Sequence, residues 1–314
     1  MHLRAKRLYP CHFSVLNCPR LKAARVPRVR ATHRKGGHMH MKKTLATIVS
    51  VVMAAAVLVG CGNSANNNAG GNASTASSGE QVVFKHGFDL DYRPYSYVDD
   101  NGKNSGFDVE MAQAVCDYYG WKYEPVPFNW DAKDAELNAK SCDCIWSGFT
   151  INGRENDYLW SKTYSDNTQM IMVKKDSGIA KLADLKGKNV GVQTATSAYD
   201  LLNDEEGQKA LKDTFGSLEV YETYTIAIND LDAGAVDALA IDVTRAQEAM
   251  QKNDKFVCLD EELGSEQYAI GFRKEDTELC QKVNDALDAL TANGTVAKIA
   301  ANYPEIAEYI TLGK

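Results

Sequence analysis

The sequence predicts an α/β protein of two lobes that face one another across a cleft. Three observations carry this expectation. Short apolar runs alternate with helical stretches, the pattern of βαβ units and mostly parallel sheets covered by helices. That strand–helix order occurs twice along the chain. A last strand, Tyr268 to Arg273, follows the second set, so the chain is expected to cross between the lobes twice and form a hinge near Asp166 to Met172 and Glu266 to Ile270. The expected division is 81–170 with 268–314 for one lobe and 171–267 for the other.

The elements follow in order. Gln81 to Phe88 reads as the first strand, and Phe107 to Tyr119 as a helix with Asp108 near its start and Gly120 as its stop. Trp121 to Pro127 is a strand, Asp131 to Lys140 a helix and Cys142 to Ser147 a strand. The second set runs strand Asn189 to Gln193, helix Thr196 to Phe215, strand Leu218 to Glu222, helix Ile226 to Gly234 and strand Val236 to Ile241. Helices Val243 to Lys252, Thr277 to Ala292 and Val296 to Tyr303 complete the reading. An internal echo links the halves: Leu137, Ala139 and Asp143 are spaced as Leu231, Ala233 and Asp237, and an apolar strand follows each Asp. One strand ends at Ser147-Gly148 and the other at Asp242. Ligands of open α/β sheets bind outside the carboxyl ends of strands, so both ends are candidate floors of a site.

What precedes this body is of another kind. Residues 1 to 40 hold 10 Lys/Arg, five of the six His and no acid, whereas residues 61 to 314 carry 23 bases against 42 acids. So acidic a body is a poor partner for nucleic acid. Met41-Lys42-Lys43, the apolar run Thr44 to Val59 and Leu58-Val59-Gly60-Cys61 give the layout of an export signal over 41–60; its end resembles a bacterial lipobox, which implies Cys61 as the lipidated mature terminus. The apolar run has 16 residues, short of the ~20 of a spanning helix, so membrane attachment is expected through the lipid alone. Residues 61–80 are rich in Asn, Gly, Ala and Ser with no aromatic and read as a flexible tether. Lys35-Gly36-Gly37 ahead of Met39 and Met41 can be encoded by a ribosome-binding site, so 1–40 is expected to be upstream sequence. Beyond Cys61 the cysteines number five, which cannot all pair internally; disulfides and buried free thiols both stay open. Cys142-Asp143-Cys144 lacks zinc spacing, and neither metal nor cofactor is expected.

The chemistry gathers at strand ends. Gly148-Phe-Thr150-Ile-Asn-Gly-Arg154 places a guanidinium, suited to gripping a carboxylate through paired donors, near one mouth. Thr196 and Ser197 stand where a strand gives way to a helix and offer an anion seat. Asp242 is placed to receive an ammonium. A zwitterion fits a site with one fixed cation and one fixed anion, because buried charge is costly unless paired. Taken singly, Arg154 would be a surface ion-pair residue beside Glu155 and Asp157, Thr196 and Ser197 helix caps, and Asp242 the cap of the next helix; their joint placement argues otherwise. Trp130 and Tyr92 are expected to sandwich a ligand stem and Asp89 to meet a polar or cationic tip, with Trp146 and Phe149 in the core.

From Val82 to Tyr303 the sequence resembles the polar amino acid binding proteins of ABC importers, the family 3 bacterial solute-binding proteins. Arg93-Pro-Tyr-Ser-Tyr97, Gly106-Phe-Asp-Val-Glu110, Trp130-Asp131, Trp146-Ser-Gly-Phe-Thr150 with Arg154, Leu182-Ala-Asp-Leu-Lys-Gly187, Asp237-Ala-Leu-Ala-Ile-Asp242 and Asn293-Gly-Thr-Val-Ala-Lys-Ile299 carry the likeness. The resemblance implies a type II periplasmic-binding-protein-like fold. It implies a carboxylate clamp at Arg154 assisted by Thr150 and Ser197, an amine site at Asp242 with the Ser147 carbonyl, stacking by Trp130, and a side-chain pocket at Asp89 and Tyr92. The loop from Thr150 to Arg154 is a residue shorter than the commoner pattern. The expected protein is a monomer anchored outside the cytoplasm, delivering an amino acid to a permease and its ATPase. A dehydratase on the same fold and an amino acid sensor module are the alternatives.

Overall fold

The structure, a computed structural model, describes residues 81–314; the expected signal, Cys61 and the tether lie outside the described residues. The first sheet runs, in spatial order, Lys122–Phe128, Val83–Asp89, Cys144–Ile145, Gly271–Phe272 and Leu159–Trp160. Its first three strands are parallel, and Gly271–Phe272 joins antiparallel to Ile145 and Trp160. The second sheet runs Ser217–Tyr221, Asn189–Gln193, Ala238–Asp242, Ser165–Lys174 and Phe256–Cys258, with Gly264–Tyr268 also on the long strand. The chain thus leaves the first sheet after Trp160 and returns after Tyr268, the two crossings expected. In between, Ser165–Lys174 and Gly264–Tyr268 pair antiparallel from Ser165↔Tyr268 to Gln169↔Gly264.

The apolar pattern explains both cores. Helix Phe107–Tyr119 packs Phe107, Met111 and Val115 toward Val283, Leu287 and Leu290 of helix Thr277–Ala292 over the first sheet. It stops at Gly120, whose φ of 68° allows the left-handed cap. The second sheet buries Val190, Val192, Ala238 and Ala240 against Ala198 and Leu202. Strands buried on both faces read as continuous apolar runs, which is why Asn189–Gln193 and Ala238–Asp242 were visible in sequence.

Three expectations are corrected. The stretch expected as one helix from Thr196 to Phe215 is two short helices, Ser197–Asn203 and Lys209–Lys212, broken where Gly207 packs against the Leu201 carbonyl. The strand expected over Tyr268 to Arg273 is split: Gly264–Tyr268 belongs to the second sheet and Gly271–Phe272 to the first. The second sheet is mixed rather than mostly parallel, because Ser165–Lys174 is antiparallel to each of its three neighbours. Cys116, Cys142, Cys144, Cys258 and Cys280 are all free thiols.

Candidate functional site

One narrow pocket, with about 20 Å³ of space open to a water-sized sphere, lies where the two sheets present their strand ends. Every site residue named above lines it: Asp89, Tyr92, Trp130, Ser147, Thr150 and Arg154 from the segments of the first sheet, and Thr196, Ser197 and Asp242 from the second. Ser147-Gly148 and Asp242, the two ends of the internal echo, meet in it. Gly148, already expected at a floor, lines it too, and Gln193 and Tyr224, which sequence reasoning had not chosen, complete the lining.

Arg154 reaches across the pocket. Its Nη2 pairs with Asp200 Oδ2 at 2.6 Å and its Nη1 lies 3.4 Å from the Thr150 carbonyl; Glu155 and Asp157, the local partners that a surface role would favour, are not used. The turn holding it is pinned to the crossing strand, with Gln267 N–H donating to Asn152 Oδ1 at 2.8 Å and Ile151 N–H to the Gln267 carbonyl at 3.0 Å. Opposite, Ala195 takes a φ of +56°, a conformation uncommon outside glycine. Its carbonyl accepts from Trp130 Nε1 at 3.0 Å and lies 3.5 Å from Arg154 Nη2, so the strained residue ties both to the facing wall. Trp130 is buried, edge-on to Phe149, with one part in a core cluster and another on the pocket.

Asp242 occupies the cap position of helix Val243–Lys252, yet its side chain makes no cap bond. Its carboxylate is spent elsewhere. Oδ1 accepts from Asn167 Nδ2 at 2.8 Å, Gln169 Nε2 at 2.6 Å and the Tyr268 hydroxyl at 2.8 Å, and Oδ2 accepts from the Tyr224 hydroxyl. Since Tyr268 gives its one proton to Asp242, the 2.6 Å contact between the Tyr92 and Tyr268 hydroxyls is donated by Tyr92. A chain of donors therefore runs from Tyr92 to the carboxylate. Thr196, by contrast, is a true helix cap: its hydroxyl donates to the Gln193 carbonyl and accepts from Tyr199 N–H, leaving only its backbone amide to face a guest. The Ser197 hydroxyl lies 3.0 Å from Gln169 Nε2.

At the other end Asp89, 3% exposed, accepts from Asp91 N–H at 2.9 Å and Gln193 Nε2 at 3.1 Å. Burial pushes its carboxyl up to about 7 despite those bonds. Gln193 Oε1 is buried without a donor. The Ser147 hydroxyl accepts from Asp89 N–H at 3.0 Å and shares a 2.6 Å bond with Ser96. Gly148 turns the floor at φ +52°, and its N–H lies 2.8 Å from Asp108 Oδ2 and 3.0 Å from the Tyr164 hydroxyl. His86 stands apart from the pocket: Nε2 donates to the Trp146 carbonyl at 2.6 Å, and burial lowers its pKa to about 4, so it is neutral.

Fold and site together define a two-lobed binding protein whose polar pocket is shared by both lobes. Residues 84–305 match the bacterial extracellular solute-binding proteins, family 3, and the chain belongs to that family. It is 32% identical over 267 residues to the arginine-binding extracellular protein ArtP of Bacillus subtilis strain 168, covering 82% of this chain and 96% of that one. Among solved structures, an ABC uptake transporter substrate-binding protein from Streptococcus pneumoniae with bound histidine superposes with a TM-score of 0.67 at 30% identity, covering 70% of this chain and 92% of the other. The ancestral amino acid-binding protein AncCDT-1, a precursor of cyclohexadienyl dehydratase, gives 0.63 at 29% identity, over 70% of this chain and 95% of its own.

Proposed function

We propose that this protein captures a polar amino acid between its lobes and hands it, chemically unchanged, to an ABC importer. The observation that carries the reading is that Arg154 and Asp242, supplied by different sheets, line a single pocket. In this reading Arg154, with Thr150 and the amides at Thr196 and Ser197, holds the carboxylate; Asp242 and the Ser147 carbonyl hold the ammonium; Trp130 and Tyr92 flank the stem. Asp89 and Gln193 Oε1 are acceptors at the far end, so the preferred side chain carries N–H donors, as those of arginine and histidine do. The lobes divide near residues 170 and 268, and the ligand drives closure by binding the closed form better than the open one. Lipidation at Cys61 tethers the monomer outside the cytoplasm beside its permease.

A dehydratase would need an acid aimed at a leaving group. The one His beyond Cys61, His86, is neutral and away from the pocket, and the Asp89 carboxylate is engaged by Asp91 and Gln193. A thermal-shift panel of the common amino acids and cystine tests the proposal: a rise in melting temperature for a donor-bearing amino acid is expected, and a flat panel overturns it. Incubation with prephenate-type acids should yield no product.

A further inference from the structure

The sequence reading gave Glu266 a place only in a chain crossing, yet it shares its hydrogen-bond donors with Asp242. Asn167 Nδ2 donates to Asp242 Oδ1 at 2.8 Å and to Glu266 Oε1 at 2.7 Å; Gln169 Nε2 donates to the same two oxygens at 2.6 and 2.9 Å. Two carboxylates thus converge on two amides on the paired crossing strands, where Glu266 stands opposite Asn167. Both are buried, 5% and 7% exposed. Among the described residues no cation pairs with them: the guanidinium of Arg154 is on Asp200 and that of Arg245, which faces Tyr224, is on Glu248. The buried carbonyl oxygens of these amides, Asn167 Oδ1 and Gln169 Oε1, have no donor either. So many acceptors around one point lack positive charge. Glu266 also lines a second cavity, shared with Arg154, Gln169 and Ser197, adjoining the pocket.

We infer that Asp242 and Glu266 act as one ammonium-binding pole in which Glu266 carries a proton when the site is empty, and that the ligand's ammonium takes that proton's place. This rests on the amino acid-binding reading above and adds a linkage to it. No covalent bond to the ligand forms or breaks. A carboxyl O–H of the pair ionises, its proton leaves to solvent through the adjoining cavity, and the ammonium supplies the positive charge that the second carboxylate requires. Burial first, and then the facing Asp242, push the Glu266 carboxyl up to about 7, while bonds from Ser197, Asn167 and Gln169 oppose the rise. The other charged or titratable groups around the pair are Tyr224 and Tyr268 on Asp242, Tyr92 behind Tyr268, Arg154 with Asp200, Asp157 and Asp204 around the cavity, and Asp89 across the pocket. The tyrosines are held protonated, because burial first and Asp242 next raise their pKa values.

The sign follows from linkage. A proton bound in the empty state and lost on capture competes with the ligand, so affinity falls as pH drops below about 7 and is flat above it. Calorimetry of the whole protein with L-arginine and L-glutamine, in two buffers of different ionisation heat, reads the proton directly. About 0.9 proton should leave per ligand at pH 6 and about 0.1 at pH 8, with affinity about tenfold weaker at pH 6. Asp89 also titrates near 7 and can add a proton with a cationic ligand, so the difference between wild type and Glu266→Gln is the readout. Glu266→Gln should keep saturable binding and lose about one proton of release at pH 6. Binding with no proton release and a pH-independent affinity in the wild type overturns the inference, as does undiminished release in Glu266→Gln. Should that variant not fold, the wild-type pH series with L-glutamine, whose neutral side chain gives Asp89 no cation to ionise against, decides. Absence of binding by any common amino acid would instead sink the amino acid-binding reading itself.

Discussion

Arg154→Ala separates a ligand clamp from a structural ion pair. The guanidinium is 12% exposed, but its partner Asp200 is 58% exposed, and a pair of that kind contributes on the order of 0–1 kcal/mol to folding. Loss of the side chain should therefore lower the melting temperature by no more than about 4 °C. Its effect on binding is different in kind. A ligand carboxylate left in the pocket without its fork of donors loses about 2–5 kcal/mol, which is about 30- to 5,000-fold in Kd. Calorimetry with the amino acid selected by the thermal-shift panel, beside ligand-free melts, measures both quantities. Arg154→Lys should fall between, because an ammonium keeps the charge and loses the planar pair of donors. Asp200→Ala is the control: it removes a competitor for the same nitrogens, so affinity should hold or tighten. Affinity of Arg154→Ala within about threefold of wild type would refute the clamp, a window well inside the 30-fold minimum. Loss in Asp200→Ala as large as in Arg154→Ala would assign Arg154 to the ion pair alone.

Gly148→Ala should destabilise the protein by about 2–4 kcal/mol in urea titration, since the residue sits at φ +52° and a Cβ would lie 2.2 Å from Tyr92 Cε1, on a ring stacked against Tyr95; a loss under about 1 kcal/mol would mean that Tyr92 yields freely. Asp91→Ala removes a carboxylate that accepts from Thr225 N–H and Oγ1, both at 2.7 Å, on helix Tyr224–Ala233, which packs on the second sheet; Kd should rise about tenfold and small-angle scattering should show a more open ligand-free form, whereas unchanged scattering and affinity would deny it a role in closure. Asp89→Asn should cost a cationic ligand about tenfold or more and spare a neutral amide ligand, read by competition; equal losses for both would remove Asp89 from side-chain selection.

Much of this was legible because strand ends advertise themselves. Helices Phe107–Tyr119, Val243–Lys252 and Thr277–Ala292 and strand Asn189–Gln193 fall where periodicity and stop signals put them. The echo of Leu137–Asp143 in Leu231–Asp237 led to both pocket floors. Gln193, last residue of a correctly read strand, was open to the same rule and was passed over. Tyr224 opens a helix whose start was read two residues late, so its side chain was never considered. Ser165–Lys174 was the larger loss. Its outer half is polar, and without the partner Gly264–Tyr268 nothing local marks it as a strand. Asn167 and Gln169, two residues apart and hence on one face, and Glu266 opposite them fall inside the two expected crossings, but their meeting was hidden with that pairing. A hydrogen-bond hub made by residues up to 99 positions apart leaves no trace in spacing.

The seat of that hub decides how the protein could be instrumented. Asn167, Gln169 and Glu266 lie on the strands by which the chain passes between its halves, so in the proposed closure they sit near the axis, where rotation produces little travel. A dye fixed beside Tyr268 would register occupancy and almost no displacement. Asn129 and Glu222, by contrast, touch side chain to side chain at the far lip, one from each half. A donor–acceptor dye pair at those two positions would turn the proposed closure into a change of distance between the halves.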